Sequence, residues 1–120
     1  MKKPLVYVAG PITGDPFGCV RQSVHAFDTL RALGCVPFCS QWSVIAEMVE
    51  HQPYEDWMAY DFDVIERCDA LVRLEGESPG ADREVDEAQR LGLPVFGLKY
   101  GGDIQAIIRW VADWTASNDG

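Results

Sequence analysis

Four short apolar runs are spaced along the chain, at 5–9, 35–38, 70–74 and 95–98. Each has the length of a strand and lacks the strict alternation of apolar and polar residues that marks a half-exposed strand. The segments between them are longer and repeat apolar residues at helical spacing. Strands that are apolar on both faces and joined by helical crossovers indicate a mainly parallel sheet with helices on both faces. We therefore expect one α/β domain over 1–120, with four or five strands in the order 2-1-3-4 or a relative of it.

Helical spacing predicts helices at about 17–33, 53–68, 79–92 and 103–114. The first would present one apolar stripe and end at a glycine; the stripe consists of Val20, Val24, Phe27, Leu30 and Leu33. Asp103 is a candidate cap for the last helix. Between 39 and 52 the pattern is ambiguous, and we expect a loop with one short helix at about 44–49. The tail from 115 onward is expected to fray.

The chain carries 19 Asp and Glu residues against 10 Lys and Arg residues, a net charge of −9. This excess argues against a nucleic-acid polymer as partner, because phosphate backbones are bound by clustered cations. No run approaches the roughly 18 apolar residues of a membrane span, and the first residues do not resemble a signal peptide. The four cysteines and two histidines lack the spacing of metal ligands. We expect a cytoplasmic protein with no metal or cofactor and with reduced cysteines.

Two acids interrupt apolar helix faces. At about 100° per residue, Asp61 falls in the middle of the apolar stripe of its helix, and Glu84 falls between Ala88 and Leu91 on the next one. A buried carboxylate is costly unless it is paired, hydrogen-bonded or open to a cleft, so both positions are candidates for chemistry. We expect the start of its helix to keep Glu84 ionised. The alternatives are a capping role for Glu84, with Ser78 as the cap, and a purely structural buried acid for Asp61.

Two loops follow predicted strands, at the edge of the sheet where ligands of open α/β folds bind. The first contains Gly10, Pro11 and Ile12, and its glycine would let a ligand approach the backbone. The second leads into the helix of Glu84. There the Ser78 hydroxyl and the N–H groups of Gly80 and Ala81 would form a cradle for one phosphate or a sugar hydroxyl. Neither loop has the glycine pattern of a dinucleotide site or a P-loop.

Three motifs together resemble those of the nucleoside 2-deoxyribosyltransferase superfamily, especially its short, often phage-borne branch and the 2-deoxynucleoside 5′-monophosphate N-glycosidases. The first is the run from Tyr7 to Gly14, YVAGPITG, and the second is the run from Ser78 to Glu84, SPGADRE. Between them, Asp61 precedes the run CDALV at 68–72, as in the family's Asp helix and third strand. The resemblance covers most of the chain.

This resemblance implies a flavodoxin-like fold, a homodimer or higher homo-oligomer, and cleavage of a purine or pyrimidine N-glycosidic bond through a covalent glycosyl-enzyme. By the same resemblance, Glu84 corresponds to the nucleophile and Asp61 to the acid that protonates the leaving base. Tyr7 corresponds to the tyrosine beside the nucleophile. Ser78 corresponds to the serine that binds the 5′-phosphate of nucleotide substrates, and Gly80 lies on the same loop.

The chemistry fits the two acids, since a retaining displacement at an anomeric carbon uses two carboxyl groups roughly 5 Å apart. Phe17, Trp42 and Trp57 are candidates for stacking on the base, although each also suits a core position. The expected partner is a small nucleoside or nucleotide. The base, the sugar and the acceptor, water or a second base, stay open. The alternative functions are a protein that binds or senses a nucleotide in the same cleft without cutting it, and an interaction module related to signalling domains that cleave NAD.

Overall fold

Four parallel strands form the sheet in the computed structural model, which describes residues 2–98 and 103–118. They are β1 (Leu5–Ala9), β2 (Val36–Cys39), β3 (Ala70–Arg73) and β4 (Val95–Gly97). Their order is β2-β1-β3-β4, which confirms the predicted order for the part of the chain described. Strand β1 lies between β2 and β3, so the loop that follows it is flanked by loops from both neighbours.

The described ranges contain five α-helices, of which the second and third both lie between β2 and β3: α1 (Pro16–Ala32), α2 (Ser43–Val49), α3 (Tyr54–Glu66), α4 (Pro79–Arg90) and α5 (Ile104–Asn118). A 3₁₀ turn at Ser40–Trp42 precedes α2. The predicted fraying is wrong for 115–118, which continue α5, and 119–120 lie outside the described residues. Asp103, the predicted cap, directly precedes α5, and its carbonyl accepts from the Ile107 N–H at 2.9 Å. Its carboxylate accepts a hydrogen bond from the Gly97 N–H at 2.7 Å. No helix over residues 2–98 and 103–118 is long and apolar enough to cross a membrane.

The two faces of the sheet carry two separate cores, and β1 contributes alternate residues to each. Val6 and Val8 pack with residues of α1 and α5 on one face, a cluster that includes Ala26, Leu30, Val72 and Ile107. Tyr7 and Ala9 pack with residues of α3 and α4 on the other, a cluster that includes Ile65, Leu71, Ala81 and Ala88. The predicted covering of both faces is therefore confirmed. It follows that α3 and α4 share a face with Tyr7.

Helix α1 buries part of the predicted stripe, since Leu30 belongs to the core and Phe27 and Leu33 pack against it. Val24 is 41% exposed, whereas Ser23 and Ala26 are buried together with Leu30. Small side chains let the helix lie close to the sheet. The Ser23 hydroxyl is satisfied there, because it donates to the Val20 carbonyl at 2.6 Å and accepts from Trp42 Nε1 at 2.8 Å. A hydrogen-bonded serine can thus replace an apolar residue in the core.

The loops after β1 and β3 touch at Gly76. This residue has φ +125°, and a Cβ placed on it would lie 2.7 Å from Pro11 Cγ. Only glycine combines that backbone conformation with so close an approach. Arg73 holds the same turn, since its Nη2 donates to the Gly76 carbonyl at 2.8 Å and to Asp82 Oδ1 at 3.1 Å. The two loops therefore form one connected rim at the carboxyl ends of β1 and β3.

Gly76→Ala should destabilise the protein more than Gly92→Ala. Both glycines have positive φ, so each alanine strains the backbone by about 1 kcal/mol, but the space around Gly92 is open to at least 4 Å. The free energy of unfolding from urea denaturation should fall by about 1 kcal/mol for Gly92→Ala and by more for Gly76→Ala. If the two variants lost the same free energy of unfolding, Pro11 would be able to move away from the new Cβ without destabilising the protein.

Candidate active site

Three polar side chains from three elements meet on the face of the sheet that α3 and α4 cover. Tyr7 lies on β1, Asp61 on α3 and Glu84 on α4. The Tyr7 hydroxyl donates to Glu84 Oε2, and Asp61 is hydrogen-bonded to both Glu84 and Tyr7. Tyr7 and Glu84 are buried and Asp61 is half-buried. Asp61 and Glu84 are thus close enough for each to affect the pKa of the other.

Each acid occupies a place where the helix would otherwise bury an apolar residue. On α3, Met58 and Ile65, three positions before Asp61 and four after it, are both buried. On α4, Ala81 and Ala88 stand in the same relation to Glu84 and are also buried. Residues at these spacings share one helix face. The neighbours of each acid therefore turn its carboxyl group toward the sheet and away from solvent.

Burial dominates the electrostatics of the three groups. It raises the pKa of Glu84, and the nearby Asp61 raises it further, against the bond from Tyr7 and the charge of Arg73. Burial also raises the pKa of Asp61, opposed by its bonds to Glu84 and Tyr7. Burial and the two acids raise the pKa of Tyr7, so the phenol keeps its proton and remains a donor. The pair of carboxyl groups thus favours states that retain a proton.

The expectation that the helix start keeps Glu84 ionised is wrong. Helix α4 begins at Pro79, which makes Glu84 its sixth residue, beyond the first turn where the dipole acts. The capping alternative also fails. Ser78 is the cap, but its Oγ accepts from the Ala81 N–H at 3.1 Å, and Glu84 lies three residues further along. The position of Glu84 in α4 therefore accounts neither for an ionised carboxyl group nor for a capping role.

The predicted anion loop is only partly available. Because the Ala81 N–H is bonded to Ser78 Oγ, the hydroxyl proton of Ser78 and the Gly80 N–H are the donors this loop can offer. Gly80 also serves packing, since a Cβ there would lie 3.2 Å from the Tyr54 hydroxyl of α3. The loop after β1 lies nearby through the contact of Pro11 with Gly76, and Ile12 is half-buried beside Pro11.

A cavity of about 250 Å³ lies beside Asp61 on the side of β2. Its walls are largely aromatic, and its lining residues are Pro37, Phe38, Cys39, Ser40, Trp42, Ser43, Trp57, Tyr60 and Asp61. Of the predicted stacking residues, Trp42 and Trp57 line it. Phe17 does not; it is 75% exposed in the first turn of α1, which packs on the other face of the sheet. A larger groove of about 520 Å³ lies near Lys3 and Arg31, away from the acids.

Sequence reasoning missed four residues of this region. Phe38 stacks on Tyr7 with ring centroids 5.6 Å apart. Ser40 is close enough to Tyr7 to affect its pKa, and its hydroxyl donates to the Val8 carbonyl at 3.1 Å. Both residues line the cavity. Tyr60 lines the cavity. Gln41 is fully buried against Gly10, and neither its amide oxygen nor its amide nitrogen has a hydrogen-bond partner among the described residues. The available signal was a glutamine two residues after the end of an apolar run.

The thiols and acids do not form a metal site. Over residues 2–98 and 103–118, no group of three or more His, Cys, Asp or Glu side chains is placed to hold an ion. The four cysteines are free, and burial raises the pKa of Cys35 to about 11.

Comparisons with known proteins agree with this architecture. A family model described as "Domain of unknown function (DUF4406)" matches residues 4–97. A 2-deoxyribosyltransferase from Bacillus psychrosaccharolyticus has a similar structure, with a TM-score of 0.63, 23% identity, and coverage of 78% of this chain and 70% of that one. A 2-deoxyribosyltransferase from Leishmania mexicana also has a similar structure, with a TM-score of 0.61, 17% identity, and coverage of 78% of this chain and 63% of that one. Among curated proteins, none matches the sequence. The likenesses confirm the fold expected from the motifs.

Glu84→Gln should stabilise the protein increasingly as pH rises. Because the pKa of Glu84 is raised on folding, the folded state binds the proton more tightly than the unfolded chain. The resulting stability is complete below the unfolded pKa and is lost as pH rises through the folded pKa. Glutamine keeps an acceptor for Tyr7 and cannot ionise. Urea denaturation should show the variant more stable by about 1 kcal/mol or more at alkaline pH, with the difference shrinking toward acid.

Asp86→Asn is the matched control, because Asp86 is an exposed acid of the same helix. The difference in free energy of unfolding between this variant and the wild-type protein should not grow with pH as it does for Glu84→Gln. If the free energies of unfolding of Glu84→Gln and of the wild-type protein changed with pH in the same way, the pKa of Glu84 would not be raised on folding.

Proposed function

The chain belongs to the DUF4406 family, and for this member we propose the cleavage or transfer of N-glycosidic bonds of (deoxy)nucleosides or their 5′-monophosphates. The observation that carries the proposal is the contact of Asp61, Glu84 and Tyr7 beside an aromatic cavity. Two carboxyl groups that share a buried site are what a displacement at an anomeric carbon requires.

The cavity supports a planar base as the group that it accepts. Its walls include Phe38, Trp42, Trp57 and Tyr60, and aromatic faces stack well on heterocycles. Asp61 belongs to the same lining, so a base in the cavity would meet this carboxyl group at its edge. The sugar would then lie toward Glu84. Gln41 offers a buried amide without partners among the described residues, and a polar group of the substrate would satisfy it.

In the first step, an oxygen of the ionised Glu84 attacks C1′ of the sugar and forms a glycosyl ester. The C1′–N bond breaks, its electron pair leaves with the base, and Asp61 gives its proton to the departing nitrogen. Tyr7 keeps the attacking carboxylate in place through its donated hydrogen bond. In the free protein the shared proton rests on Glu84, because its pKa is raised to about 8 and that of Asp61 to about 6. The proton must therefore pass from Glu84 to Asp61 when the substrate binds, which leaves Glu84 ionised for the attack.

In the second step, water or another base attacks C1′ and the ester bond breaks. The electron pair returns to Glu84, and Asp61 takes the proton that the attacking molecule loses. Water would make the protein a hydrolase, and a second base would make it a transferase. Both outcomes use the same two carboxyl groups.

A 5′-phosphate would be bound at the start of α4. The donors there are the Ser78 hydroxyl and the Gly80 N–H, together with the positive end of the helix dipole. Comparing a deoxynucleoside with its 5′-monophosphate tests this part of the proposal, since a phosphate site should lower KM for the monophosphate. Equal KM values would remove the phosphate from the recognised groups.

We also propose a homodimer or higher homo-oligomer as the working form. Ile45, Met48 and Val49 on α2 are 61%, 71% and 87% exposed, next to the cavity. A cluster of large apolar side chains in water favours association with a partner surface. Sedimentation velocity should give a mass of two or more chains, and a single chain at micromolar concentration would refute this part.

Glu84→Gln and Glu84→Ala should abolish release of free base from a panel of nucleosides and 5′-monophosphates, measured by chromatography. Without the carboxylate no glycosyl ester forms, and the loss should exceed about a thousandfold. Mass spectrometry of the wild-type protein with substrate should find the sugar on Glu84. Asp86→Asn should retain turnover. If folded wild-type protein binds these compounds and releases no base from any of them, it is a binding or sensing protein.

The pH dependence of kcat/KM should be bell-shaped around neutral pH. The reaction needs Glu84 ionised and Asp61 protonated, and the pKa of each is raised, so activity falls on both sides of the one-proton state. Asp61→Asn should lower the rate and abolish the alkaline limb. It should also move the acid limb to lower pH, because the charge that raises the pKa of Glu84 is gone. An unchanged profile in this variant would exclude Asp61 as the acid.

A further inference from the structure

Helix α2 borders the cavity, and it does not pack into either core of the protein. It has seven residues, none of them buried, and no side chain caps its start. An isolated helix of this length is unstable in water, so it depends on bonds to its neighbours. Its apolar side chains at 45, 48 and 49 point into solvent. The question is what holds this helix beside the cavity.

The Glu47 carboxylate supplies three of those bonds. Its Oε2 accepts from Trp57 Nε1 at 2.6 Å and from the Gln52 N–H at 3.1 Å, and its Oε1 pairs with His51 Nδ1. These bonds, that of Trp57 first, lower the pKa of Glu47 and keep it ionised. Glu47 therefore ties α2 to the connection that follows it and to α3.

The bond to Trp57 reaches the cavity directly. Trp57 lies one helical turn before Asp61 on α3, and both line the cavity. An indole that is bonded at Nε1 is restricted in both of its side-chain torsions. The ring beside the predicted proton donor is therefore fixed by an acid on another helix.

We propose that Glu47 is a positioning residue, which fixes the Trp57 ring and α2 as one wall of the cavity and so sets the affinity for a planar base. The inference rests on the proposed function, because it assigns the base to this cavity. Glu47 does not touch the reacting atoms, so its loss should weaken binding and leave the chemical step nearly unchanged.

Four variants distinguish the effect of the Glu47–Trp57 hydrogen bond from the effect of the Glu47 charge and from a general loss of stability. Glu47→Ala removes the acceptor, whereas Glu47→Gln keeps an oxygen that can accept from both Trp57 and Gln52. Trp57→Phe keeps a ring and removes the donor. Glu50→Ala is the control, since Glu50 is an exposed acid at the end of the same helix.

The first measurement is the indole N–H resonance of Trp57 in a ¹⁵N–¹H NMR spectrum, assigned by its loss in Trp57→Phe. It should move toward the position of a free indole in Glu47→Ala and stay in place in Glu47→Gln and Glu50→Ala. The second is kinetics together with titration of free adenine and cytosine. Glu47→Ala should raise KM and weaken binding of a base about tenfold, with kcat within about twofold. Glu47→Gln should restore both values.

The double variant Glu47→Ala with Trp57→Phe should bind no more weakly than the weaker single variant, because both remove the same bond. An unmoved indole resonance in Glu47→Ala, or unchanged KM and base affinity, would overturn the inference even in an active enzyme. Conversely, wild-type protein that binds adenine in a Glu47-dependent way and cleaves no substrate would refute the proposed function and support this inference.

Discussion

The burial of two hydrogen-bonded carboxyl groups against Tyr7 is the constraint on which the rest of the site depends. Asp61 and Glu84 lie among apolar neighbours on α3 and α4, where a carboxylate loses most of its solvation. Their bonds to each other and to Tyr7 compensate for part of that loss. The same burial that makes these positions costly raises the pKa of both acids. A pair that retains a proton near neutral pH is suited to chemistry in which one carboxyl group attacks and the other gives a proton.

The fold delivers this pair through the central strand. Strand β1 lies between β2 and β3, and its residue Tyr7 faces the layer in which α3 and α4 pack side by side. One helix precedes β3 and the other follows it, so their acids come from opposite directions in the sequence and meet over one strand. Phe38, the neighbour of Tyr7 on β2, extends this arrangement to the aromatic cavity. The catalytic proposal and the binding proposal therefore depend on the same three strands.

Helix α2, which borders the cavity, is less buried than the helices that carry the acids. The outer wall of the cavity is formed by the 3₁₀ turn and α2, where large apolar side chains are exposed, and Glu47 connects that wall to α3. No side chain of α2 is buried, so this helix can open at a low free energy, and the bonds of Glu47 hold it against α3.

Periodicity alone determined most of the architecture, because runs that are apolar on both faces have few places to go except the centre of a parallel sheet. The approximate strand bounds and the positions of Asp61 and Glu84 on apolar faces followed from local pattern, whereas the strand order was one of the arrangements that this pattern allows. Tertiary structure decided what pattern does not encode. The ionisation of Glu84 depends on burial and on Asp61, which is distant in sequence, and not on its place in the helix. The partners of Gln41, Phe38 and Glu47 depend on how three segments meet at the edge of β2, and spacing along one chain carries no information about such contacts.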